Sequence, residues 1–161
     1  MKNIFSKINP YQMVVFCWGA FALVGYLLQD HFMDPNIAII TWTLVIAAAS
    51  FVQIYFFWSE SKRIKLLNIL WVKINVIGGI LTYLLWTGTI FPDAKINVMW
   101  FVLIALGMIA TGIIINMKKY FVLAIIYIIF AVIFQMLNFE HDLIFAGVAF
   151  LAVNVLDGIW G

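Results

Sequence analysis

Six apolar runs, each about as long as the hydrocarbon layer of a bilayer is thick, follow one another along the chain, and each is ended by charge, proline or asparagine. A helix rises about 1.5 Å per residue, so roughly 20 residues cross about 30 Å of hydrocarbon. The runs fall at 11–29, 37–58, 66–91, 96–116, 119–138 and 143–161. Backbone amides in lipid must be satisfied inside their own segment, so the runs are helices unless they close into a barrel. Their continuous apolar character, without in/out alternation, excludes the barrel. Composition agrees, with 66% of the 161 residues hydrophobic and 10% charged, against about half and about a quarter in soluble domains. A soluble fold still shows a large share of its surface to solvent, and here that solvent must be lipid. The expected fold is an all-α integral membrane protein: an N-terminal segment over 1–10, then a single transmembrane six-helix bundle over 11–161.

Orientation follows from the short loops, because Lys and Arg are retained on the cytoplasmic side. Lys2 and Lys7 precede the first run, Lys62, Arg63 and Lys65 separate the second and third, and Lys118 and Lys119 separate the fourth and fifth. The opposite loops carry Asp30, His31 and Asp34, then Asp93 and Lys95, then Glu140, His141 and Asp142. Both termini are therefore expected in the cytoplasm, in a multi-pass protein of a cell membrane. Tryptophan favours the headgroup level. Trp58, Trp71 and Trp160 fall near inner ends, and Trp42, Trp86 and Trp100 in outer portions, with Trp18 near mid-membrane. The basic start and the triplet Ala20-Phe21-Ala22 imitate a cleavable signal peptide. The apolar run continues past the triplet to Leu28, so the segment is expected to stay as a helix.

Three constellations stand out. At the outer rim, Asp30, His31 and Asp34 follow helix one, and Glu140, His141 and Asp142 precede helix six. Imidazole with carboxylate is a plausible shell for a divalent metal if helices one and six adjoin; a solvated acidic rim is the alternative. In the inner half of the membrane lie Gln53, Lys73, Asn75, Asn154 and Asp157. Ionisable groups at that depth are functional candidates, and a snorkelling Lys73 could reach Asp157. Against this, Asn68, Asn75, Gly79, Thr82 and Trp86 share one face of helix three, and Lys73 points roughly the other way. Small residues (Gly19, Ala22 and Gly25; Ala47 to Ser50; Gly78 and Gly79; Gly107 and Thr111; Ala146 and Ala149) mark faces for close helix packing. Helix five, rich in Ile, Phe and Val, is expected to face lipid or a partner.

Other chemistries lack their residues. The spans hold no histidine, so no membrane haem is expected, and both histidines sit in loops, away from any serine partner. The single cysteine, Cys17, allows no intramolecular disulfide. A net charge of +2 without a dense basic stripe offers nothing to nucleic acid. The expected function is binding or transport of a small solute or lipid through the inner polar set. The alternatives are an accessory subunit with a membrane-protein partner or homo-oligomeric contacts, and a metal-binding protein or metal-dependent enzyme at the outer face.

Overall fold

The computed structural model describes residues 10–32, 35–57, 62–88, 95–136 and 142–160. Six helices account for nearly all of them: α1 Pro10–Phe32, α2 Pro35–Phe57, α3 Lys62–Trp86, α4 Ile96–Ile115, α5 Lys119–Met136 and α6 Asp142–Ile159. Five are long and apolar enough to cross a membrane, and the apolar stretch of α2, Ile39–Tyr55, is the shortest. The protein is thus a multi-pass helical membrane bundle. Helix three begins earlier than its apolar run, taking in Lys62 and Arg63 of the basic loop. Both are exposed, so a charged first turn costs nothing in burial.

Each helix packs against its neighbours in sequence, and α6 returns to α1, so the six form a ring. The α1–α6 seam is the most extensive and α5–α6 the thinnest. Lipid gives helices no hydrophobic reason to associate, so the seams depend on close packing and interhelical hydrogen bonds. Small residues supply the closeness. Phe16 packs where a Gly158 side chain would be, Leu23 and Tyr26 press on Gly147, and Asn154 and Leu151 press on Gly19. The outward faces carry Leu44 and Phe51 on α2, Ile80 on α3 and Val148 on α6, all exposed, as a lipid-facing surface requires.

At the end of the bundle away from the lysine-rich turns at 62–65 and 118–119, the ring is filled by aromatic side chains. Tyr26 meets Trp42 edge-on at 4.8 Å, and Trp42 stacks on Trp100 at 6.2 Å. Both indoles are hydrogen-bonded, Trp42 Nε1 donating to Gln29 Oε1 at 2.7 Å and Trp100 Nε1 to Thr82 Oγ1 at 3.1 Å. Trp42 and Trp100 therefore do not form the headgroup belt their depth suggested. Partners inside the bundle satisfy their N–H groups, so the rings turn inward. Trp58 and the side chain of Trp86 lie outside the described residues, as do Lys2 and Lys7.

Helix five also departs from expectation. Tyr120, Leu123, Ala124, Tyr127, Ala131 and Phe134 recur at helical spacing and are all buried. Phe101 of α4 meets Tyr127, Phe130 and Phe134 at centroid distances of 5.5–6.0 Å. One face of α5 is core, and only the other is exposed.

The contrast between adjacent glycines of α3 gives a direct test. A methyl group at Gly78 would collide with the Trp100 ring, whereas one at Gly79 meets nothing within 4 Å. Gly78→Ala should cost about 1–3 kcal/mol by overpacking. Gly79→Ala should be neutral or stabilise by up to about 1 kcal/mol, because alanine favours the helix. Thermal unfolding of both variants in one detergent checks the pair.

Candidate functional site

The ring opens in its basic half into a cavity of about 540 Å³. Every helix contributes to its wall. It runs from the aromatic layer of Tyr26, Trp42 and Trp100 to the level of Ile64, Met117 and Lys119 at the basic end. On α1 the lining extends from Tyr26 to Val14, a rise of roughly 18 Å. Most of the wall is apolar or aromatic, so its few polar groups stand out.

Four of the five inner-half residues singled out in the sequence, Gln53, Asn75, Asn154 and Asp157, line this one cavity, although they come from α2, α3 and α6. Each is buried. Gln53 joins three helices: its Oε1 accepts from Trp18 Nε1 at 3.0 Å, and its Nε2 donates to Asn68 Oδ1 at 2.8 Å. Asn154 Nδ2 donates to the Tyr127 hydroxyl at 3.2 Å and to the Phe150 carbonyl one turn back at 2.8 Å. That contact ties α6 to α5 where their packing is thinnest.

Lys73 is the exception. It is exposed and does not line the cavity. The polar stripe of α3 faces the bundle, burying Asn75 and Thr82 at 5% exposure each, and this turns Lys73 outward. Asp157 pairs instead with Lys119, at 3.1 Å between Nζ and Oδ1, with the two side chains 7% and 2% exposed. Lys119 Nζ also reaches the Asp157 carbonyl at 3.4 Å and lies 5.0 Å from the centre of the Tyr120 ring. Its sequence position, in a basic loop, had assigned Lys119 to solvent. The turn explains the difference. Asn116 ends α4 in the left-handed conformation (φ 57°, ψ 47°), and Met117 N donates to the Gly112 carbonyl at 3.1 Å. The chain then re-enters at once, so Lys119 opens α5 on its inner face while Lys118 remains exposed. A lysine doublet at the depth of an intramembrane aspartate is the signal that could have found the pair.

The outer-rim set is not assembled as a metal shell within what the structure describes. Asp34, Glu140 and His141 lie outside the described residues. Helices one and six do adjoin, but Asp142 sits 3.7 Å from Lys95 and accepts from Asn97 Nδ2 at 3.4 Å. His31 lies in the last turn of α1 with its side chain exposed, and Asp30 is half-buried beside it. Among the described residues no group of three His, Cys, Asp or Glu side chains is placed to hold a metal ion.

Comparison with protein-family models, curated proteins and solved structures finds no match for this chain. The class is therefore defined by the fold and the cavity themselves: a six-helix membrane bundle enclosing an aromatic, sparsely polar chamber.

A buried pair is costly to break and cheap to replace whole. Lys119→Met, which strips Asp157 of its ion-pair partner, should cost about 3–5 kcal/mol, and adding Asp157→Leu should recover most of that loss. Lys73→Met, on the outward face, should stay within about 0.5 kcal/mol of the original. Thermal unfolding of the three variants separates the true pair from the one expected from sequence.

Proposed function

We propose that the bundle is a binding protein for a small solute or lipid held in its central cavity, seated in a cell membrane with the basic end cytoplasmic. The observation that carries this reading is the convergence of Gln53, Asn75, Asn154 and Asp157 on one cavity of about 540 Å³. Small-molecule sites typically occupy about 300–1,000 Å³, with apolar and aromatic walls and a few placed polar groups.

The lining ends at Tyr26, Trp42 and Trp100, whose rings and hydrogen bonds close the ring beyond. That favours a holding site reached from the basic end over a path through the membrane. The polar groups then have separate tasks: Gln53, Asn154 and the Lys119–Asp157 pair fix the wall, and Asn75 meets the occupant.

Native mass spectrometry of the protein in mild detergent should find a small molecule retained by the original chain. Ile104→Trp, which fills the cavity from α4, should lower that occupancy by about tenfold, equivalent to about 1.4 kcal/mol of lost affinity. Leu106→Trp, on the exposed face of the same helix, should leave it unchanged. Equal occupancy in all three proteins would count against a cavity ligand.

A further inference from the structure

Two polar atoms of the cavity wall have no hydrogen-bond partner among the described residues: Nδ2 of Asn75 on α3 and Oγ1 of Thr111 on α4. Asn75 is 5% exposed and Thr111 4%, and both line the cavity. Buried polar atoms are paired in the great majority of cases, so two unpaired ones on residues that line one chamber call for partners, which a turn of each side chain toward the chamber would bring within reach. An amide nitrogen can only donate, so Asn75 requires an acceptor oxygen, and the Thr111 hydroxyl can donate or accept. Gly107 touches Trp71 and Ile74, while Gly78 faces Trp100, and these contacts fix the register of α3 against α4. In that register Asn75 is level with Ile104, and Thr111 lies about two helical turns, roughly 10 Å, nearer the basic end.

Charge narrows the class further. Lys119 and Asp157 are the only charged side chains among the described lining residues, and they are committed to each other at 3.1 Å. An anionic ligand would set its charge against Asp157, and a cationic one against Lys119. Either would add a buried charge that the already neutral pair does not balance, or would break the pair. A neutral occupant leaves it intact. Aromatic rings such as those of Trp18, Trp71 and Tyr127 and aliphatic side chains such as Val45, Ile104 and Met108 supply the remaining wall, which suits an apolar body.

Resting on the cavity-binding reading, we propose that the occupant is a neutral, elongated, mainly apolar molecule that presents one acceptor oxygen to Asn75 and a second oxygen to Thr111. A neutral membrane lipid and a free ester or ketone share this chemistry.

The test uses the full chain in nanodiscs of synthetic phosphatidylcholine, with quenching or enhancement of tryptophan fluorescence as the readout. The probes are dimethyl decanedioate, whose ester groups are separated by about two helical turns, together with dodecane, decanedioate and decane-diamine. The diester should bind saturably, and the three others should bind about tenfold or more weakly. Asn75→Leu should weaken the diester by about five- to tenfold without affecting dodecane, and Thr111→Val by about threefold. Without probe, Asn75→Leu should unfold at the same or a higher temperature, because it removes an unpaired buried donor. Thr111→Val, nearly isosteric, carries the test by itself should the Asn75 variant not fold.

Tighter binding of decanedioate or the diamine overturns the neutral class. Unchanged diester affinity in both variants, with binding still lost in Ile104→Trp, overturns the oxygen assignment and leaves cavity binding standing. No saturable probe and no retained molecule would defeat the cavity reading itself. Mass spectrometry of an organic and an aqueous extract of the purified protein separates the sources. A neutral lipid in the first or a neutral oxygen-bearing metabolite in the second supports the proposal, and an acidic or basic compound in either contradicts it.

Discussion

The seam between α1 and α6 is the contact on which the rest of the bundle depends. It joins α1 to α6 and turns a row of six helices into a ring. In lipid this seam must come from shape, and the shape comes from glycines: Gly19, Gly147 and Gly158 each receive side chains of the opposite helix. The functional consequence is direct. Asn154 is pressed against Gly19, and Asp157 follows one turn later on the same inward face, so the packing that closes the ring also aims both polar groups of α6 into the cavity. Where packing is thin, between α5 and α6, hydrogen bonding and charge take over through Tyr127–Asn154 and Lys119–Asp157.

Along its axis the bundle is divided by side-chain volume. Tyr26, Trp42 and Trp100 fill the end away from the two lysine-rich turns, and each indole N–H has a buried acceptor, so the layer is fixed in orientation as well as packed. In the basic half the same ring leaves room, and there the Trp18–Gln53–Asn68 chain links α1, α2 and α3 without filling the space. A packed part and a hollow part thus share one ring of helices, and the proposed binding role rests on the hollow one.

Much of this was legible in the sequence. Apolar length and loop charge sufficed to count the helices, and the heptad-like spacing of Asn68, Asn75 and Thr82 identified the buried face of α3, with Lys73 opposite. Gln53, Asn75, Asn154 and Asp157 were recognisable because polar groups in lipid need a reason to be there. What the sequence concealed was pairing between distant helices. Asp157 could be seen to want a cation, yet nothing local distinguishes Lys119 from Lys118 until the left-handed turn at Asn116 rotates one of them inward. Trp42 and Trp100 were misread for a related reason. Their depth is encoded in sequence, but their direction is decided by acceptors on other turns and other helices, Gln29 and Thr82.

Ring closure is the claim from which the cavity, the inward polar set and the proposed binding role all descend. A Cβ placed at position 19 would lie 3.0 Å from that of Asn154, so the two helices need part only slightly to reach the roughly 3.5–4.5 Å that a disulfide spans. In a Cys17→Ser background, Gly19→Cys combined with Asn154→Cys should oxidise within single chains. The reduced and oxidised forms should be separable by gel mobility and confirmed by a cross-linked peptide in mass spectrometry. Failure to cross-link in the membrane, or cross-linking only between chains, would contradict the closed ring.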